Sequence, residues 1–204
     1  IREKIKNGIT YCDGGAGTLL QSWGLRPGEK PETWNLTNPD KIIEMHRLYL
    51  EAGANIITTC TFGANRLKFD NLEEIVTAAV RNAKTACENF DNAFVALDIG
   101  PTGKMLEPLG DLGFEEAVSV FSETIKIGTK AGADLVLIET INDSYEAKAA
   151  TCTEFGWDAY EACSVCDYTT YEERSAYGQE SEFGHDGFLV EHEKLNRIIT
   201  NFIN

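Results

Sequence analysis

The stretch that decides the fold is TYCDGGAGTLLQ, residues Thr10 to Gln21, in which an acid and three glycines follow a short apolar segment. A glycine-rich turn after a strand often binds phosphate on backbone N–H groups at a helix N-terminus. The dinucleotide pattern G-x-G-x-x-G fails here because Leu20 stands where its last glycine belongs, and the P-loop pattern lacks its Gly-Lys-Ser/Thr. Asp13 would also repel phosphate. The turn therefore favours a ligand that carries a positive group, such as an amine.

The segment that ends at Asp13 is one of four that share a pattern. Each is apolar and β-branched, and each is closed by polar residues or glycine, which is typical of buried parallel strands. The predicted strands are Gly8–Asp13, Asn55–Thr61, Ala93–Asp98 and Asp134–Glu139. They recur roughly every forty residues, which predicts repeated strand-plus-helix units around a parallel sheet.

Helical patterns fill the intervals between these strands. In the first, Asn38 is placed to cap a helix that has Pro39 at its first position and ends before Gly53. One face of this helix carries Ile42, Met45, Tyr49 and Leu50, and His46 on it is expected to be a packing or surface residue. The other predicted helices are Leu72–Glu88 and Phe114–Lys130, the latter followed by a stop at Gly132.

The carboxyl ends of the predicted strands carry unusual polar or glycine residues. They read Asp-Gly-Gly from residue 13, Thr-Cys-Thr-Phe-Gly from residue 59, Asp-Ile-Gly-Pro from residue 98 and Glu-Thr from residue 139. Ligands of parallel α/β folds lie beyond these ends, which form one rim in a (β/α)8 barrel. We therefore expect Asp13 and Glu139 to face the same mouth, although a single acid at a strand end often only caps a turn.

Composition limits the classes of partner. The 204 residues hold 18 basic and 33 acidic side chains, a net charge of −15, which argues against nucleic acid and anionic membrane surfaces as partners. The sequence has neither an apolar run long enough to span a membrane nor the apolar region of a secretory signal at its start. Six scattered cysteines suggest reduced thiols instead of a disulfide framework. These features predict a cytoplasmic protein.

Four stretches together resemble the homocysteine S-methyltransferase family, and most closely the N-terminal homocysteine-binding module of cobalamin-dependent methionine synthase. They are DGGAGTLLQ from residue 13, the long run from Gly24 to Lys68 that contains NLTNPD and TTCTFGAN, DIGPTGKMLEPLG from residue 98, and GADLVLIETINDSYEAKAA from residue 132. The resemblance covers roughly residues 8 to 150. It implies a (β/α)8 barrel, which agrees with the forty-residue period.

The resemblance also implies roles for individual residues. Asp13 and Glu139 are expected to face the amino group of homocysteine, and Gly14 and Gly15 to let the backbone approach the substrate. Two further residues, Thr59 and Phe62, match positions that line the same pocket, although ordinary barrel packing is an equal alternative for the phenylalanine. The family holds zinc with three cysteines, one in an Asn-Cys motif and two in Gly-Gly-Cys-Cys-Gly, so that the homocysteine thiol ionises.

Neither zinc motif occurs in these 204 residues. Residues 151–204 hold 11 acidic against 3 basic side chains and read as a divergent, acidic, aromatic-rich tail after an N-terminal half-barrel at 1–150. Within this tail, the Cys163/Cys166 pair with His185 or His192 is a weak alternative zinc site. A fifth strand near Cys163–Tyr171 and a helix around Leu189–Phe202 are the only further elements expected.

These features predict an α/β protein, a partial (β/α)8 barrel with four or five parallel strands and alternating helices. The resemblance implies methyl transfer to the homocysteine thiolate to give methionine, with methylcobalamin as donor in the full-length enzyme and cobalamin- and folate-binding modules as partners. Without the zinc ligands we expect the chain to be truncated and inactive alone. The alternative is a non-catalytic remnant or assembly partner that associates through its open half-barrel.

Overall fold

A computed structural model describes residues 9–141 and 143–154, and in residues 152–154 the backbone alone. Three strands form a parallel sheet in the order β1 (Ile56–Thr58), β2 (Phe94–Ile99) and β3 (Leu135–Ile138). The predicted α/β class with parallel strands is therefore confirmed. The predicted fifth strand and the C-terminal helix lie outside the described residues.

Helices precede and follow the strands along the chain. They are α1 (Ala16–Ser22), α2 (Trp34–Thr37), α3 (Pro39–Glu51), α4 (Leu72–Cys87), α5 (Phe114–Ala131) and α6 (Ser144–Glu154), with a 3₁₀ turn at Pro31–Thr33. From β1 to α6 the chain alternates strand and helix, as in part of a (β/α)8 barrel. In the described part of the chain, no helix is long and apolar enough to cross a membrane.

The three long helices begin where the sequence predicts, and α4 and α5 end within one residue of the predicted ends. Helix α3 starts at Pro39 and ends just before Gly53, which has a φ of 104°. Helix α5 ends at Gly132, whose φ of 101° is the left-handed conformation that glycine adopts without a steric penalty. The apolar positions of α4 (Ile75, Ala79, Ala83 and Ala86) are all buried, as their helical spacing requires.

The predicted first strand is much shorter than expected. From Ile9 to Asp13 it forms a single parallel bridge, between Cys12 and Ile56. The ladder ends there because Thr58 donates its backbone N–H to the side-chain Oδ2 of Asp13, at 2.8 Å, instead of to a backbone carbonyl. The described sheet therefore has three strands and one bridge, where the sequence predicts four strands before residue 140.

The two faces of the sheet differ in what covers them. Ile57 and Val95 lie in one buried cluster with Ala83 and Ala86 of α4. Leu97 packs so closely against Gly128 of α5 that a Cβ there would lie 2.5 Å from its Cδ2. These residues therefore define the helix-covered face. Side chains alternate along a strand, so Thr58, Ala96 and Asp98 belong to the opposite face.

Candidate functional site

Asp13 and Glu139 lie at the same edge of the sheet. Asp13 donates its backbone N–H to the carbonyl of Ile56 at 2.9 Å, and Glu139 donates its own to Ile99 at 3.0 Å. Both carboxylates thus follow the carboxyl ends of parallel strands, the edge at which ligands of such sheets bind. The structure brings the two residues together as the sequence predicts, and their role in binding a ligand stays a prediction.

The same two residues also share one face of the sheet with Asp98. Thr58 donates its hydroxyl to Asp13 and lies opposite Ala96 in the ladder, and Asp98 is two residues beyond Ala96. Asp98 in turn lies opposite Leu137, and Glu139 follows two residues later. Residues two apart on a strand point to the same side. The three carboxyl-bearing residues therefore share the face away from α4 and α5, and the charges of Asp13 and Glu139 act on Asp98.

Asp13 is half-buried and held by two donors from one residue. Thr58 donates its backbone N–H to Oδ2 and its hydroxyl to the carboxylate, at 2.8 Å and 3.1 Å. These bonds favour the ionised form, but burial outweighs them and, with the charge of Glu139, raises the pKa of Asp13 to about 6. Asp13 is therefore mainly ionised at neutral pH and gains from a cationic partner.

Asp98 lies near the end of the central strand β2, and the sequence predicts no role for it. Its side chain is only 7% exposed, and Oδ1 is buried without a hydrogen-bond partner in the part of the chain that the structure describes. Burial, with the charges of Glu139, Asp13 and Glu32, raises the pKa of Asp98 to about 8. The sequence signal that could have identified Asp98 is its position, because an acid two residues after Ala96 lies on the same face of the strand as Ala96.

Thr59 holds the backbone of Asp98 in place. The Asp98 N–H donates to Thr59 Oγ1 at 3.1 Å, and Thr61 Oγ1 donates to the Asp98 carbonyl at 2.7 Å. The two hydroxyl oxygens lie 2.7 Å apart, so Thr59 donates to Thr61 and closes a ring of hydrogen bonds. All three groups are buried. The Thr59 hydroxyl thus holds the backbone of Asp98 in place, and the lining of a ligand pocket by Thr59 stays a prediction.

The glycines predicted to admit a ligand have neighbours of their own. A Cβ on Gly14 would lie 3.2 Å from the Tyr49 ring, and the carbonyl of Gly15 accepts the Tyr49 hydroxyl at 3.1 Å. Both glycines are exposed and lie at the start of α1, beside Asp13. The space at Gly14 is therefore needed by Tyr49, and close approach of a substrate to either glycine remains a prediction.

Phe62 lies against the loop after β2. Its carbonyl accepts the N–H of Gly100 at 3.0 Å, and a Cβ on Gly100 would lie 2.6 Å from the Phe62 ring. The ring is 41% exposed. Phe62 is thus partly packed and partly exposed at the ligand edge. Both predictions for it, pocket lining and ordinary packing, therefore stay open.

Two buried glutamates, which the sequence reading also left unassigned, fix the loops at this edge. Glu32 accepts the N–H of Gly63 at 2.7 Å, and Glu146 of α6 accepts the N–H of Thr102 at 2.8 Å and its hydroxyl at 2.6 Å. All three bonds join residues more than thirty positions apart in sequence. Spacing along the chain could not reveal them, because they depend on the tertiary arrangement of the loops.

The described residues do not fit a zinc ion. Within 9–141 and 143–154, no group of three or more His, Cys, Asp or Glu side chains is arranged to hold a metal. Among the side chains that the structure describes, Cys12, Cys60 and Cys87 are free cysteines. Burial raises the pKa of the Cys60 thiol, which opposes thiolate formation. The alternative site at Cys163 and Cys166 lies outside the described residues.

Comparisons with known proteins identify the family and support the fold. Residues 10–182 match a family model described as homocysteine S-methyltransferase. The homocysteine methyltransferase MmuM from Escherichia coli is a structural neighbour in its metallated form, with a TM-score of 0.65 and 20% identity over 86% of this chain and 72% of that one. The oxidized form of the same protein matches with a TM-score of 0.63 and 20% identity, over 82% of this chain and 68% of that one. At this identity the likeness to the solved structures shows a shared fold.

Proposed function

Because the chain belongs to the homocysteine S-methyltransferase family, we propose that its carboxylate-lined sheet edge binds homocysteine by the α-ammonium group. Asp13 and Glu139 are the residues that receive the ammonium. Charge-assisted hydrogen bonds between an ammonium and carboxylates are about twice as strong as neutral ones, which suits recognition of an amino acid.

One observation carries this proposal: three carboxyl groups share one face and one edge of the sheet, and none of the ion pairs among the described residues involves them. Burial, and after it the neighbouring negative charges, raises the pKa of Asp13 and Asp98. Surplus negative charge that the protein leaves uncompensated is relieved when a cation binds. Negative charge at this edge therefore supports an ammonium-bearing ligand over a phosphate or a carboxylate alone.

The reaction that we propose for this site is methyl transfer to the homocysteine sulfur to give methionine, in the manner of cobalamin-dependent methionine synthase. The segments Gly24–Leu36 and EPLG at 107–110 support this subtype, in which methylcobalamin is the donor and cobalamin- and folate-binding modules are partners. Since neither zinc-cysteine motif occurs in these 204 residues, we propose that the chain alone binds the substrate and does not turn it over.

Binding is tested by isothermal titration of the 204-residue chain with L-homocysteine under reducing conditions. Asp13→Asn and Glu139→Gln should each weaken binding by about tenfold, because each removes a charge-assisted hydrogen bond. Asp111→Asn and Glu123→Gln, which change exposed acids in surface ion pairs, are the matched controls and should leave the affinity unchanged. Unaltered binding by both site variants would refute the ammonium site.

The ligand itself offers a second control. The hydroxy analogue of homocysteine, which has a hydroxyl in place of the ammonium, should bind far more weakly than the amino acid. Equal binding of the two would show that the carboxylates do not recognise the amine.

Inactivity is tested separately, by following methyl transfer from methylcobalamin to homocysteine with and without added zinc. We expect no turnover above the uncatalysed rate and no zinc retained after dialysis. Turnover together with near-stoichiometric zinc would contradict this and would direct attention to Cys163 and Cys166.

A further inference from the structure

The ammonium site formed by Asp13 and Glu139 leaves Asp98 unexplained. Asp98 lies on the central strand between the segments that carry the other two acids, on the same face and at the same edge. The residue is only 7% exposed, and its carboxyl oxygen Oδ1 is buried without a partner in the described residues. Burying an unpaired carboxyl oxygen is unfavourable unless a donor arrives. The orientation is fixed in advance, because the ring of hydrogen bonds through Thr59 and Thr61 holds the Asp98 backbone.

A primary ammonium group carries three N–H donors. Two of them are accounted for by Asp13 and Glu139, and the third needs an acceptor on the same face. We propose that Asp98 is a third ligand-binding carboxyl group, which accepts the remaining hydrogen bond of the substrate ammonium and releases its own proton to solvent when the ligand binds. This inference rests on the proposed function and extends it to a ligand class, the primary amines.

The groups around Asp98 explain why it holds a proton before the ligand arrives. Three charged groups act on the Asp98 carboxyl: Glu139 after β3, Asp13 before α1, and Glu32 in the 3₁₀ turn. The charge of Asp98 acts in turn on the thiol of Cys60, which follows β1. None of these is a cation. A bound ammonium supplies the missing positive charge, so the carboxyl proton leaves as the cation enters. The negative charge of Asp98 is therefore balanced by the proton before binding and by the ammonium afterwards.

The geometry also predicts selectivity among amines. A ligand with one N-methyl group keeps only two N–H donors and leaves one carboxyl unpaired. A site with three acceptors therefore discriminates against secondary amines, whereas a site with two acceptors does not. This distinguishes the role proposed for Asp98 from a purely structural one.

The test is isothermal titration of the chain with L-homocysteine near pH 7 in buffers of different ionisation enthalpy, which gives the number of protons released per ligand. The wild type should release most of one proton, and Asp98→Asn should release almost none. The variant should also bind about tenfold more weakly, because it removes the charge of the acceptor. Asp98→Ala removes the acceptor oxygen itself and should lose the preference for homocysteine over N-methyl-homocysteine. Asp111→Asn, an exposed acid paired with Lys104, is the control and should behave as the wild type.

The outcomes separate this inference from the one on which it rests. If the wild type binds homocysteine, Asp98→Asn releases as many protons as the wild type and Asp98→Ala keeps the amine preference, the role of Asp98 is refuted and the ammonium site of Asp13 and Glu139 stands. If the wild type does not bind homocysteine, the proposed function fails and this inference fails with it. Circular dichroism of both Asp98 variants distinguishes a loss of binding from a loss of folding.

Discussion

The two faces of one three-stranded sheet have opposite characters. The helix-covered face holds Ile57, Val95 and Leu97, all fully buried, and Leu97 is packed against Gly128. The opposite face carries Thr58, Ala96 and Asp98 and gathers three carboxyl groups at its carboxyl edge. Since both faces come from alternate residues of the same strands, a change of one position along the chain decides whether a side chain stabilises the fold or serves the ligand.

The largest effect is expected on the helix-covered face. Leu97→Ala should lower the free energy of unfolding by about 2 to 5 kcal/mol, because it removes a fully buried side chain and leaves a cavity beside α5. Urea denaturation followed by circular dichroism measures the change. Leu48→Ala, which shortens an exposed leucine of α3, is the control and should cost less than about 1 kcal/mol. Equal losses would show that the two sites are not distinguished by burial.

His46 of α3 gives the helix layer a sensitivity to acid. It is fully buried, neither ring nitrogen has a partner in the described residues, and burial lowers its pKa from 6.5 to about 4. Between these values the unfolded chain binds a proton that the folded chain does not, so stability falls as the pH falls from about 6.5 towards 4. The loss from this group should reach about 3 kcal/mol at pH 4.

His46→Leu tests this, because leucine has a similar volume and does not titrate. The variant should keep its stability over that pH range better than the wild type does, as measured by denaturation at each pH. Glu44→Gln changes an exposed acid of the same helix and should leave the wild-type slope unchanged. An equally steep loss in His46→Leu would assign the acid sensitivity to other groups.

Periodicity predicted the helix layer well and the opposite face only in part. Helices α3, α4 and α5 follow from apolar spacing and from Gly53 and Gly132, since these signals are local. The meeting of Asp13 with Glu139 followed from the direction of parallel strands. Asp98 was missed because its significance depends on burial and on an unpartnered oxygen, which a sequence does not show.

Two other features that the sequence does not show have the same physical origin. The first strand was predicted to its full length, but the carboxylate of Asp13 takes the backbone donor of Thr58 that a longer ladder would need. Thr59 stays a predicted pocket residue, and the structure adds that its hydroxyl accepts the backbone N–H of Asp98. In both cases a polar side chain competes with the backbone for a hydrogen bond, and the partner is about forty residues away in sequence.

On the ligand face, Asp98 should produce the opposite pH dependence to His46. Its pKa rises from 3.8 to about 8 on folding, so the folded chain retains a proton that the unfolded chain has lost, and stability falls as the pH rises from about 4 towards 8. Asp98→Asn removes this titration and should be more stable than the wild type by about 1 to 3 kcal/mol near pH 9. Denaturation at pH 5 and pH 9 measures it, and a variant less stable than the wild type at pH 9 would contradict the expectation.

The smallest effect is expected from Thr58→Val, which keeps the β-branched shape of the strand and removes only the hydroxyl. Asp13 retains the backbone N–H of Thr58 at 2.8 Å, so one of its two donors survives and the loss of stability should be about 1 kcal/mol. The hydroxyl bond lowers the pKa of Asp13, so its removal should raise that pKa above the present value of about 6. Titration of the ¹³C-labelled Asp13 carboxyl by NMR detects the shift, with Asp111, far along the chain in a surface ion pair, as the internal reference.

Homocysteine affinity at neutral pH should fall only slightly in Thr58→Val, because Asp13 remains largely ionised there. A pKa that stays at about 6 would show that the backbone donor alone sets the ionisation of Asp13, and a fall in affinity as large as that of Asp13→Asn would mean that the threonine hydroxyl itself contacts the ligand.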